Sequence, residues 1–123
     1  MDLALVPNGT FAVATVLNNL DLSPGDEILV TDHEYMATIN ELGKVCTATG
    51  ARVTVARVPF PRVSPEAVVE SVVGAMTDRT RVVLISHITS ASALVMQRAN
   101  PLLRTTPLRA YLSRLRCPLF LVR

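Results

Sequence analysis

The chain has 123 residues, half of them apolar, and a formal net charge of +2. This length supports one packed core, and a composition rich in Val, Leu, Ala and Thr with few aromatic residues favours alternating strands and helices over a disordered or fibrous chain. No apolar run is long enough to span a bilayer, and no charged segment followed by an apolar stretch marks a signal peptide.

The first 97 residues alternate helical and strand patterns. In chain order they predict a helix over residues 11–20, a strand at 27–31, a helix from about 35 to 47, a strand at 51–56, a helix from 67 to about 76 and a strand at 81–86. Asn8 or Thr10 caps the first helix, and Gly50 ends the second. Ser64 caps the third, with Pro65 in its first turn. Short connections between such elements predict the α/β class, a mainly parallel sheet flanked by helices.

The charged residues are distributed unevenly along the chain. Residues 1–97 carry all ten acidic side chains and six basic ones, whereas residues 98–123 carry six arginines and no acid. Such a tail either binds an acidic partner or nucleic acid, or it does not belong to the same evolutionary unit.

Cys46 and Cys117 lie far apart without metal-binding spacing, which predicts free thiols and a cytoplasmic protein.

Three polar loops are expected at the carboxyl edge of the predicted sheet, where parallel sheets bind ligands. They are residues 8–10, 32–35 and 87–92. Gly9 and Thr10 open a helix, whose free N–H groups and dipole suit a phosphate, although many such triplets are only caps.

The other two loops are open to several interpretations. Asp32 either caps the next turn or belongs to a segment that stacks an aromatic or imidazole ring on a planar ligand. The hydroxyl and imidazole groups of residues 86–90 either satisfy the end of a strand or form part of a hydrolase triad. A metal site is not predicted, because His33 and His87 are the two histidines and no ligand spacing accompanies them.

Taken together, these segments resemble the class V aminotransferase family of fold-type I pyridoxal-phosphate enzymes, and within it the isopenicillin N epimerase-like branch. The resemblance rests on Asn-Gly-Thr at 8–10, on LSPGDEILVTDHEY at 22–35, on VPFP at 58–61 and on RTRVVLISHITS at 79–90. It covers roughly residues 4 to 96 and implies an incomplete piece of the large domain of such an enzyme.

The resemblance implies a cofactor, pyridoxal 5'-phosphate, and residues that bind it. Gly9 and Thr10 would hold the phosphate. Tyr35 would stack on the pyridine ring, with His33 as the alternative because the local alignment could slip by a few residues.

The same resemblance implies a second group of contacts after the third strand. Ser90, with Thr89 beside it, would stand near the ring hydroxyl, and His87 would support the end of that strand. The family acts on amino acids at the α-carbon, as epimerases, lyases or transferases, and its complete members form homodimers.

Two groups that the family requires are absent after position 97. An acid keeps the pyridine nitrogen protonated, and a lysine attaches the cofactor as a Schiff base; residues 98–123 contain neither. We therefore expect residues 1–97 to be a partial cofactor-binding domain, and residues 98–123 to be a basic tail unrelated to the family pattern. The chain alone is expected to be inactive, with no catalytic residue assigned; the alternatives are a non-catalytic interaction module with an arginine-rich tail, or a non-functional truncated product.

Overall fold

The structure is a computed structural model, which describes residues 5–61, 64–86 and 88–95, together with the backbone of 119–122. Its helices are α1 (Gly9–Asn18), α2 (Met36–Thr49) and α3 (Pro65–Gly74), and its strands are β1 (Glu27–Thr31), β2 (Arg52–Ala56), β3 (Thr80–Ser86) and β4 (Leu119–Val122). The four strands form one parallel sheet in the order β2-β1-β3-β4. The predicted α/β class, a parallel sheet flanked by helices, is confirmed.

The ends of the helices follow from local chemistry. Asn8 accepts a hydrogen bond from the N–H of Phe11 (2.9 Å), so of the two possible caps it is Asn8 that caps α1. Gly50 ends α2 with a φ of 77°, in the left-handed region that favours glycine. The predicted run of α1 to residue 20 is two residues too long, because the side chains of Asn18 and Asn19 bond back to carbonyls of the preceding turn.

The sheet is buried on both faces by separate apolar clusters. On one face, α1 and α2 pack against the sheet through Val13, Leu17, Ile28, Val30, Leu42, Val45, Val82 and Leu84. On the other face, α3 packs through Leu29, Ala56, Val72, Met76, Val83 and Ile85. Because successive side chains of a strand point to opposite faces, β3 contributes to both clusters through a continuous apolar run, Val82 to Ile85.

The order of the strands creates a switch point between β1 and β3. From β1 the chain passes through α2 to β2 on one side, and it returns through α3 to β3 on the other side of β1. The helices α2 and α3 lie on opposite faces of the sheet. In sheets of this type, ligands bind beyond the carboxyl ends of the strands at the switch point.

The strand β4 lies beside β3, with Leu119 to Val122 opposite Val83 to Ser86. The sequence predicted no strand here, since residues 98–123 were assigned to a basic tail. The rest of the predicted basic tail, residues 98–118 and residue 123, lies outside the described residues. None of the three described helices is long and apolar enough to cross a membrane.

Candidate functional site

The carboxyl edge of the sheet collects the loops that the sequence singled out. The segment from Asp32 to Tyr35 follows β1, and residues 88–95 follow β3. A short connection joins the end of α1 to the start of β1 at the opposite edge, so α1 runs antiparallel to the strand and its N-terminus also points to the carboxyl edge. Since α1 and α2 pack side by side against the same face, this topology implies that Gly9, Thr10 and Tyr35 lie at one edge of the sheet.

The N-terminus of α1 has the features of an anion site. The side chain of Asn8 accepts a hydrogen bond from the N–H of Phe11. In the described part of the chain, the N–H groups of Gly9 and Thr10 have no hydrogen-bond partner. The first turn carries no acidic side chain. Open space surrounds Gly9, since a Cβ added there would meet no atom within 4 Å. These features fit a phosphate, which helix N-termini bind through free N–H groups and the helix dipole.

Asp32 and His33 are engaged in contacts within the protein. Asp32 accepts a hydrogen bond from the N–H of Val58 (2.9 Å), so it ties β1 to the segment after β2 and does not cap α2. His33 Nδ1 lies 2.5 Å from Ser92 Oγ, and the His33 ring packs at 5.5 Å from the ring of Phe60. Its side chain is only 12% exposed, so the histidine acts as a link between loops.

Tyr35 is placed differently. It is the N-cap residue of α2 but makes no capping bond with its side chain, and it is 50% exposed. Of the two rings that the sequence left open for stacking, Tyr35 is half-exposed, whereas the ring of His33 packs against Phe60.

Residues after β3 form a tight loop. Thr89 is buried; its Oγ1 lies 2.8 Å from Ser92 Oγ and accepts the N–H of Leu94 (2.9 Å). The Thr89 hydroxyl therefore stabilises its own loop, whereas Ser90 is exposed at its tip. His87 lies outside the described residues. Ser92 was not singled out by sequence reasoning, because its bond to His33 spans 59 positions.

Glu34 is the second site residue that sequence reasoning missed. Its Oε1 accepts the N–H of Ser86 (2.9 Å) and the hydroxyl of Thr31 (3.3 Å), and its Oε2 accepts the hydroxyl of Ser86 (2.5 Å). The carboxylate thus joins the end of β1 to the end of β3. The one sequence signal for the bond between Glu34 and Ser86 was an acidic residue just after a predicted strand.

Lys44 is the one lysine of the sequence. It lies in α2 with Nζ 2.5 Å from Glu41 Oε1, and its side chain is 70% exposed. At 1.5 Å per residue it is about 12 Å along the helix from Met36, away from the carboxyl edge. Among the described residues, no group of three His, Cys, Asp or Glu side chains could hold a metal ion.

The parallel sheet flanked by helices, in the order β2-β1-β3-β4, fits part of the large domain of a fold-type I pyridoxal-phosphate enzyme. The aminotransferase class-V family model matches residues 3–102, and the chain belongs to this family. The match extends past Met96, where the resemblance was expected to stop. The predicted family is confirmed, and this membership supports pyridoxal phosphate as the cofactor by resemblance.

Similar proteins give the same assignment. The chain is 37% identical over 97 residues to isopenicillin N epimerase of Amycolatopsis lactamdurans, covering 76% of this chain and 24% of the relative. The isopenicillin N epimerase of Streptomyces clavuligerus is 33% identical over 98 residues, covering 80% and 25%. The chain therefore spans about a quarter of the length of these relatives.

Solved structures of the enzyme C-DES share the fold. One, a lysine-to-alanine variant with glycine covalently linked to the PLP cofactor, has a TM-score of 0.76 at 21% identity, covering 94% of this chain and 29% of that chain. Another, described as a complex of a cystine C–S lyase with cysteine persulfide, has a TM-score of 0.63 at 26% identity, covering 71% and 23%.

Proposed function

We propose that this chain supplies the phosphate-binding and ring-facing side of a pyridoxal-phosphate site in an enzyme that acts at the α-carbon of an amino acid. The reaction is an epimerisation, or a lyase or transferase reaction of the cysteine desulfurase type. The similarity to two isopenicillin N epimerases supports the first reaction, and the similarity to a cystine C–S lyase supports the second.

The observation that carries the proposal is the N-terminus of α1. The helix dipole attracts an anion at this end of α1. Here lie two N–H groups without partners in the described chain, the hydroxyl of Thr10 and open space beside Gly9. Gly9 and Thr10 would hold the phosphate there. Tyr35, half-exposed on the neighbouring helix, would cover one face of the pyridine ring, and the exposed Ser90 would lie toward the ring hydroxyl.

When bound, pyridoxal phosphate supplies an electron sink for the charge that develops at the α-carbon of an amino acid. The residues of this chain orient the ring and hold the phosphate, and no step of proton transfer is assigned to them. Lys44 pairs with Glu41 on the outer surface of α2, so it does not serve as the lysine that attaches the cofactor. We propose that the chain by itself binds the cofactor without turnover.

Two further properties are part of this proposal. The complete protein would form a homodimer, as the family resemblance implies. The cytoplasmic location stays a prediction from the cysteine pattern.

Calorimetric titration with pyridoxamine 5'-phosphate tests the proposal. This probe lacks the aldehyde, so it cannot react with Lys44, and pyridoxamine without phosphate serves as the comparison. We expect the phosphate form to bind more tightly, and Thr10→Ala to weaken its binding by about tenfold, the effect of removing one hydrogen bond to a charged group.

Thr15→Ala is the matched control. It removes a hydroxyl from the same helix, more than one turn after Gly9; in the described part of the chain this hydroxyl bonds to the carbonyl of Phe11. Its binding should equal that of the unmodified chain. Equal affinities for pyridoxamine with and without phosphate would rule out the proposed phosphate site.

A further inference from the structure

The two central strands separate before they end. Pairing between β1 and β3 stops at Leu29 opposite Val83, although β1 continues to Thr31 and β3 continues to Ser86. On its other side, β1 pairs with β2 as far as Thr31. The sheet therefore opens between β1 and β3 at its carboxyl edge, which is also the switch point of the strand order.

The side chain of Glu34 bridges this opening. Its carboxylate accepts both the N–H and the hydroxyl of Ser86, and it also accepts the hydroxyl of Thr31. The N–H of Ser86 points to a side chain here, where backbone pairing with β1 has ended. Hydrogen bonds to an ionised acceptor are roughly twice as strong as neutral ones, so this bridge is a firm connection.

Tyr35 follows Glu34 directly, and among the described residues its side chain has no hydrogen bond of its own. Its side chain makes no capping bond, and its carbonyl accepts the N–H of Ile39 as the first turn of α2 begins. The position of its ring relative to β3 therefore depends on the residue before it. The loop that carries Thr89 and Ser90 starts just after Ser86, so the same bridge also sets where that loop begins.

We propose that Glu34 is a positioning residue: by joining the ends of β1 and β3 it fixes the distance between the ring of Tyr35 and the loop after β3. This inference rests on the proposed cofactor site. Glu34 does not touch the ligand in this account, because both of its oxygens are occupied by Ser86 and Thr31. Its removal should disturb the binding of the pyridine ring and leave the phosphate site at α1 intact.

The test compares Glu34→Ala with Glu34→Gln in the full chain. Alanine removes every acceptor, whereas glutamine keeps one oxygen for the N–H of Ser86 and can donate to the Ser86 hydroxyl. Glu41→Ala is the matched control, since it removes a carboxylate whose partner, within the residues that the structure describes, is Lys44 of the same helix. Far-UV circular dichroism first checks that each variant is folded.

Three quantities are then measured: the affinity for pyridoxamine 5'-phosphate, the affinity for inorganic phosphate, and the induced circular dichroism of the pyridine chromophore per bound molecule. For Glu34→Ala we expect about tenfold weaker binding of pyridoxamine 5'-phosphate, and phosphate binding unchanged within about twofold. The induced signal should fall as well. Glu34→Gln should restore part of both effects, and Glu41→Ala should match the unmodified chain.

The outcomes separate this inference from the proposed function. If the unmodified chain does not bind pyridoxamine 5'-phosphate, the proposed function fails and this inference fails with it. If the unmodified chain binds but Glu34→Ala gives the same affinity and induced signal, only the inference is wrong. Equal losses for both ligands would also overturn it, because they would indicate a general effect on folding. Should the alanine variant not fold, Glu34→Gln decides by the same comparison.

Discussion

Replacing Gly9 by aspartate should stabilise the fold and weaken phosphate binding at the same time. Gly9 is the first residue of α1, its φ is not in the left-handed region, and a Cβ there meets no atom within 4 Å. The new side chain therefore fits. A carboxylate in the first turn interacts favourably with the helix dipole, so the free energy of unfolding should rise by about 0.3–1 kcal/mol.

The effect on binding follows from Coulomb's law. A carboxylate about 5 Å from a phosphate costs about 0.8 kcal/mol per unit charge at the dielectric constant of water. For a phosphate with nearly two charges this is about 1.6 kcal/mol, or about fifteenfold in affinity, and a lower effective dielectric constant would increase it.

Gly9→Asn is the matched control, because it fills the same space without the charge. Affinity for pyridoxamine 5'-phosphate is measured by calorimetry at low salt, and stability by urea denaturation. The difference between the two variants should shrink as salt is raised, since the charges are exposed to solvent. Equal affinities of the aspartate and asparagine variants at low salt would refute the reasoning that places the phosphate at this helix terminus.

Two further predictions concern the helix α2. Gly50→Ala should lower the free energy of unfolding by about 1–2 kcal/mol, because φ is 77° and the added Cβ would lie 3.1 Å from the Cβ of Pro24. The control is Gly74→Ala in α3, where a Cβ meets no atom; it should raise the free energy of unfolding by about 0.5 kcal/mol. Urea denaturation that gives the same sign for both variants would contradict this prediction. Burial raises the pKa of the Cys46 thiol. In a Cys117→Ser variant, alkylation of Cys46 by iodoacetamide should therefore begin at higher pH in the folded chain than in urea. Matching pH profiles in both conditions would show that the fold does not protect the thiol.

The elements of the fold could be predicted because their signals are local. The strand at 27–31 has the predicted bounds, and the strand at 81–86 gains one residue, Thr80. Asn8, Ser64 and Gly50 act at helix ends as their chemistry indicates. Boundaries differ where side chains compete with the backbone, as Asn18 and Asn19 do at the end of α1.

The contacts that organise the site could not be predicted in the same way. The bond between Glu34 and Ser86 spans 52 positions, and the bond between His33 and Ser92 spans 59. Each depends on where β1 and β3 stop pairing, and no periodicity in the sequence reports this. The burial of Thr89 likewise follows from the tight turn after β3.

The phosphate assignment to Gly9 and Thr10 and the ring assignment to Tyr35 stay predictions. The phosphate assignment was suggested by the chemistry of a helix N-terminus and by the family resemblance, whereas the ring assignment came from the resemblance alone. The same is true of Ser90, which is exposed beside the buried Thr89. His87 lies outside the described residues, so its role also stays a prediction.

A titration of the isotope-labelled chain with pyridoxamine 5'-phosphate, followed through amide chemical shifts in ¹H–¹⁵N spectra, shows which N–H groups contact the ligand. We expect the largest shifts at Gly9 and Thr10, whose N–H groups would change from free to hydrogen-bonded. Pyridoxamine without phosphate should leave these two signals nearly unchanged. Unmoved Gly9 and Thr10 signals at saturation, or the same shifts with both ligands, would contradict the claim that α1 holds the cofactor phosphate.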